Sequence, residues 1–236
     1  MVADALSSLS PGIAVTHYNK FVATTVGRDK VLRSVQYLSR FLAWYLYRTN
    51  HTQSRVDFFE KLKKNMGGVR KAMRLGKFVE HFRAAATAAD AASMDPVIRL
   101  CTVGRQLGYA FYMSLDTLTY LDAAGIRPSP TMKKLQREAY KAWMMGLLFS
   151  VVNSVYGLYT MQFQAAKEAQ TGEKAVEVKK MQKERNNTQI QLVSDLCDLS
   201  IPLAALNIAN LDDGIVGLLG SVSSLLGVYG QWNKTA

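Results

Sequence analysis

From Asp29 to Tyr47, Val31, Leu32, Val35, Leu38, Leu42 and Tyr45 with Leu46 recur three or four residues apart. That is the repeat of one helix face. Gly27 precedes the run, Arg28, Lys30, Arg33, Arg40 and Arg48 lie along or around it, and polar Thr49–Arg55 reads as a loop. Strand-like alternation is scarce, and stretches of Ala, Leu, Met, Lys and Arg dominate elsewhere. The predicted fold class is all-α.

The most basic segment follows. Lys61–Arg83 carries Lys61, Lys63, Lys64, Arg70, Lys71, Arg74, Lys77 and Arg83 against the single acid Glu80. At ~100° per residue, the part after Gly67-Gly68 divides into two sectors. Val69, Ala72, Met73, Leu75, Gly76, Val79 and Phe82 share one, and Arg70, Lys71, Arg74, Lys77 and His81 the other. Phe78 falls on the border, while Glu80 and Arg83 intrude on the apolar half. The pattern predicts one basic amphipathic helix over residues 67–83. Such a helix suits a membrane interface, with cations on anionic headgroups and the apolar face in the acyl boundary. The alternative is an ordinary amphipathic helix docked on its own domain.

Asp95-Pro96 marks a helix start, because proline is tolerated in a first turn. Val97–Leu121 is largely apolar but carries Arg99, Arg105 and Asp116. Gly125 and Arg127-Pro128-Ser129-Pro130 then break the chain.

Between Lys141 and Lys167 no charge appears, and the centre reads Trp143-Met144-Met145-Gly146-Leu147-Leu148-Phe149. About 20 apolar residues cover a hydrocarbon core, and Trp143, Tyr156 and Tyr159 sit toward the ends, where interfacial aromatics are favoured. A membrane span over 142–161 is predicted, a buried helix of a soluble bundle being the alternative. Leu199–Leu211 is apolar but short, and it ends at Asp212-Asp213. Carrying each aspartate to mid-bilayer costs about 2.5–3.5 kcal/mol, so the second span is placed after them, over 214–233. Its pairs Gly217/Ser221, Gly220/Ser224 and Ser223/Gly227 have the small-xxx-small spacing that lets helix backbones approach in lipid. Gly217, Gly220, Ser221, Ser224 and Gly227 are therefore the candidate self-association face. The predicted organisation is a basic amphipathic helical region over 1–126, a linker over 127–141, the first span, a charged linker with a short apolar helix over 162–213, and the second span.

Composition sharpens this picture. The 236 residues are 49% hydrophobic and 20% charged with a net charge of +11, which excludes an intrinsically disordered chain. The charge is uneven: residues 1–90 hold 15 bases and 6 acids. A basic front suggests a polyanion or an anionic membrane surface, and the uncharged runs downstream favour the membrane over nucleic acid. Met1–Val15 lacks the n-region and h-region of a secretory signal. Cys101 and Cys197 are isolated packing residues rather than a disulfide framework. His17, His51 and His81 are scattered, with no metal-ligand spacing and no phosphate-loop, G-x-S-x-G or G-x-G-x-x-G motif. No enzyme, metal or cofactor is implied.

Phe21-Val22-Ala23-Thr24-Thr25-Val26-Gly27-Arg28-Asp29-Lys30-Val31-Leu32-Arg33 resembles the start of the fungal peroxin-eleven family, the peroxisomal membrane elongation and division factors. So do Gln36-Tyr37 through Arg40-Phe41, Arg70-Lys71 through Arg74-Leu75-Gly76-Lys77-Phe78-Val79-Glu80-His81, and Leu211-Asp212-Asp213-Gly214-Ile215-Val216-Gly217-Leu218. The similarity runs from about Tyr18 onward in ordered blocks. It implies an integral peroxisomal membrane protein with both termini toward the cytosol. It also implies an N-terminal amphipathic helix, here matching Val69–Phe82, that inserts into the outer leaflet and drives tubulation. Self-association and recruitment of a dynamin-type GTPase through its tail-anchored receptor are implied as well, as is a link to a metabolite pore.

From the residues themselves, two spans return the chain to the side it left, and Arg127, Lys133, Lys134, Arg137 and Lys141 favour a cytosolic N-terminal side. The expected function is membrane remodelling. Arg70, Lys71, Arg74 and Lys77 would bind headgroups, and Val69, Met73, Leu75, Val79 and Phe82 would insert. The rival is a pore built from Val97–Leu121 and the two spans. Arg105 and Asp116 lie eleven residues apart, about three turns, and so share a face that could line it.

Overall fold

In a computed structural model, the backbone is described for residues 13–171 and 175–235, and side chains for 15–163 and 178–235. Most of the opening segment read for a secretory signal, and the middle of the 162–213 linker, lie outside those residues. Nine helices and no strand form among the described residues: α1 Ile13–Ala23, α2 Thr25–Arg48, α3 Gln53–Met73, α4 Phe78–Ala89, α5 Pro96–Leu118, the single turn α6 Tyr120–Ala123, α7 Pro130–Thr171, α8 Ala175–Ala205 and α9 Asp213–Thr235. The chain is an all-α protein.

Local chemistry sets the starts. Thr24 caps α2, its Oγ1 accepting the Gly27 amide at 3.0 Å. Asp95 caps α5, accepting from the Val97 and Ile98 amides with Pro96 in the first turn, as the Asp95-Pro96 pair predicts. In each case a side-chain oxygen satisfies an amide that the first helical turn leaves without a partner.

Three sequence boundaries need correction. The single rod expected over 67–83 is two helices: α3 ends at Met73, Gly76 adopts φ +77°, and α4 begins at Phe78. Glycine enters that left-handed region without a Cβ penalty, and one such residue interrupts the helical ladder. The linker expected at 127–141 is helical from Pro130 and continuous with the first span. Most of the charged linker and the short apolar helix form one element, α8, with Pro202 near its end.

The helices pack into a ring. α2 lies on α3, α3 bends through Arg74–Lys77 into α4, α4 packs on α5, α5 on α7, α7 on α8, α8 on α9, and α9 returns to α2. Tyr37, Trp143, Leu147, Ile201 and Val216, from α2, α7, α8 and α9, form the apolar cluster on one side of the ring. Helices α5 and α7 approach closely, and a Cβ at Gly108 would stand 2.6 Å from the Gly146 backbone. Glycine at both positions removes that obstruction.

α7 and α9 contain the two apolar stretches long enough to cross a bilayer, yet only 28% and 33% of those stretches is buried within the chain. Met145, Leu148, Val152, Val155 and Tyr159 form an exposed row along α7, and Ile215, Leu218, Val222, Leu225 and Tyr229 form another along α9. Ser150, Ser154, Ser223 and Ser224 are buried on the inward faces. The inward faces mix these serines with buried Trp143, Leu147 and Val216, whereas long apolar rows left exposed suit helices whose outer faces meet lipid.

Candidate functional site

The ring borders a half-open cavity of about 1440 Å³ lined from α2, α3, α4, α5, α7, α8 and α9. Ten lysine and arginine side chains line it against four aspartates, Asp29, Asp116, Asp195 and Asp198. Arg70, Lys71, Arg74 and Lys77 are among the ten.

The inward orientation of these four revises the expected headgroup face. Arg70 is buried; its Nε donates to Asp29 at 3.0 Å and its Nη1 to Gln36 Oε1 at 2.6 Å. Lys71 Nζ donates to Thr119 at 2.7 Å and Gln136 at 2.8 Å and lies 3.2 Å from Asp116. Arg74 Nη2 donates to Asp116 Oδ2 at 2.8 Å. These three reach α2, α5 and α7 from the end of α3, before the chain turns at Gly76. The apolar side faces out: Val69, Leu75, Val79 and Phe82 are 46%, 47%, 59% and 38% exposed, with Met73 half-buried. Lys61, Lys64 and Arg83 are the exposed cations of the same region.

Further pairs tie the ring together. Arg33 on α2 is buried against Asp198 on α8 and donates to Ser223 on α9. Arg40 on α2 pairs with Asp213 at the start of α9 at 2.7 Å. Asp195 accepts from Ser150 and from Gln191 Nε2, the latter at 2.8 Å. Burial pushes Asp29 up, but Arg70, Arg74 and Lys30 beside it outweigh that and hold its carboxyl below the ordinary range. Burial, reinforced by Arg33, pulls the Lys30 ammonium down to about 8.

Arg105 and Asp116, predicted to share a face of α5, both border the cavity. The small residues of α9 also find partners within the chain. Gly217 abuts the backbone of Phe41, Gly220 the ring of Tyr37 and Gly227 the side chain of Lys30, while Ser221 and Ser224 donate back to Gly217 and Gly220. The face read for self-association is thus the α2–α9 interface. Sequence reasoning missed the aspartates as inward partners. The available signal was an isolated Asp29 and Asp116 in stretches otherwise basic or apolar.

The model of the family described as Peroxisomal biogenesis factor 11 (PEX11) matches residues 15–232. The chain belongs to that family. Among PEX11 relatives, the peroxisomal membrane protein PMP27 of Saccharomyces cerevisiae is 30% identical over 94% of this chain and 96% of its own. PMP30B of Candida boidinii is 26% identical over 94% and 95%, and human peroxisomal membrane protein 11A is 25% identical over 89% and 94%. No solved structure matches the chain. PEX11 membership makes this a peroxisomal membrane protein of the proliferation and division factors, which are not a known enzyme family.

Proposed function

We propose that the chain elongates and tubulates the peroxisomal membrane, and so promotes fission and proliferation, by inserting the outer face of the α3–α4 elbow into the cytosolic leaflet. The observation that carries this reading is the exposed apolar row Val69, Leu75, Val79 and Phe82 in a peroxisomal membrane protein. Headgroup attraction falls to Lys61, Lys64 and Arg83, because Arg70, Lys71 and Arg74 are engaged inside. A wedge in one leaflet expands it relative to the other and favours tubules.

Both termini face the cytosol in this reading, with α7 and α9 as the two spans. Self-association uses the outward rows of those helices, and a dynamin-type GTPase with its tail-anchored receptor completes scission. The test is tubulation of anionic liposomes by the full chain. Val79→Glu and Phe82→Glu abolish it while Lys61→Glu with Lys64→Glu weakens binding in a salt-dependent way, surface charges being screened within ~8 Å at 0.15 M. Undiminished tubulation by both glutamate variants removes the elbow from the mechanism.

A second reading, a metabolite pore, is favoured by one observation: Arg105 and Asp116 border a cavity ringed by helices that include both spans. Conductance in planar bilayers that is unaltered by Arg105→Leu and Asp116→Leu counts against it.

A further inference from the structure

The cavity carries more positive charge than its own carboxylates absorb. Asp29 and Asp116 serve Arg70, Lys71 and Arg74, and Asp198 serves Arg33. Asp195 is taken up by Ser150 and Gln191. The side chains of Lys30, Lys77 and Arg105, which also border the cavity, make neither an ion pair nor a hydrogen bond among the described residues, although Asp198 and Asp29 act on Lys30, and Arg105 on Asp195, through longer-range attraction. His81 spends Nδ1 on Gln106 at 2.7 Å and leaves Nε2 buried without a partner, and Arg105 Nε is buried and unpaired too. His81 and Arg105 stand on the same ring: His81 stacks on Tyr109 with centroids 5.5 Å apart, and the Arg105 guanidinium lies 5.4 Å from that centroid.

Buried donors without acceptors, and like charges gathered in one cavity, each cost free energy. An anion with several acceptor oxygens relieves both. A monocarboxylate neutralises a single cation, whereas a phosphate offers multiple charge and oxygens in several directions, the geometry that lysine and arginine pair with best. The volume exceeds that of a bare ion and leaves room for the molecule bearing the phosphate.

We propose that this cavity is a binding site for a phosphate-bearing polyanion, held through Lys30, Lys77, His81 Nε2 and Arg105. The phosphate comes either on a soluble phosphoester or on the headgroup of an acidic lipid. The site is distinct from the outer elbow and does not depend on its insertion.

The experiment uses the full chain in phosphatidylcholine nanodiscs, titrated separately with inorganic pyrophosphate and with dioctanoyl phosphatidic acid, and followed by tryptophan fluorescence and thermal unfolding. At least one probe binds and raises the unfolding midpoint. Binding by pyrophosphate alone assigns a soluble ligand, binding by phosphatidic acid alone assigns a headgroup, and mutual competition assigns one site to both. Lys30→Gln with Arg105→Gln weakens binding at least tenfold, Lys30→Arg with Arg105→Lys restores it, and Lys141→Gln, remote from the cavity, changes nothing. A measurement on the unaltered chain guards against a variant that fails to fold: bound probe protects Lys30 from acetylation. Absence of binding by both probes, binding equal in the glutamine variant, or an unprotected Lys30 overturns the proposal.

Discussion

Arg74 Nη2 lies 2.8 Å from Asp116 Oδ2, joining the elbow after α3 to the middle of the ring through α5. Asp116 also faces Lys71 at 3.2 Å, so one carboxylate serves two cations. Removing that carboxylate leaves both charges in a low-dielectric interior, and breaking a buried pair on one side costs about 3–5 kcal/mol. Asp116→Asn is expected to lower the unfolding midpoint of the detergent-solubilised protein by an amount in that class. Lys61→Gln, on the exposed face, changes stability by less than about 0.5 kcal/mol. Denaturant titration of the two variants side by side checks the contrast.

Gly217 meets the Phe41 backbone, so a larger side chain there must push α9 off α2. Gly217→Leu is expected to destabilise by about 1–3 kcal/mol through overpacking and to loosen the Arg40–Asp213 pair. Leu218→Ala, on the exposed row next to it, leaves the fold nearly unaffected. Limited proteolysis within α2 reads the difference. If the small-residue face served only contacts between chains, Gly217→Leu would alter assembly and leave proteolysis of α2 unchanged.

Lys30 gives a pH signature. Its folded value near 8 lies below the usual lysine value of 10.5, so the charged form is disfavoured in the folded state. The penalty is fully present below pH 8. Between the two values the unfolded chain holds a proton that the folded chain has lost, and stability therefore rises with pH. Lys30→Met is expected to be more stable than the parent at pH 7 by up to about 3 kcal/mol, the shift from 10.5 to about 8 counting ~1.4 kcal/mol per pKa unit. The gap should close as the pH passes from 8 toward 10.5. Unfolding midpoints of both chains across that interval test it, and a constant gap contradicts the assignment.

Much of this was legible in the residues, for identifiable reasons. The spacing of Val31 through Leu46, the Asp95-Pro96 start and the uncharged runs in α7 and α9 are local signals, and local signals survive folding. The wheel over 67–83 puts Val69, Leu75, Val79 and Phe82 in one sector, and all four are exposed, although the continuous rod it assumes is broken at Gly76. What it could not convey is which sector faces the protein. That depends on Asp29 and Asp116, located 41 and 42 residues from the arginines they hold, and no periodicity reports such pairing. Gly76 was visible, but as one more small residue on an apolar face rather than as the left-handed break it makes. The Gly/Ser spacing of α9 was likewise read as a contact face. Its partner proved to be α2 of the same chain, because closure of the ring is a long-range event.

Closure of that ring by α9 against α2 also orders events during synthesis. Arg40 emerges 173 residues before the Asp213 that pairs with it, and Arg33 emerges 165 residues before Asp198. Until α8 and α9 have formed, Arg33 and Arg40 on α2 lack the aspartates that pair with them. Contacts this distant along the chain form slowly. The ring therefore closes through its most distant contacts, and those contacts wait on the helix that comes last among the described residues.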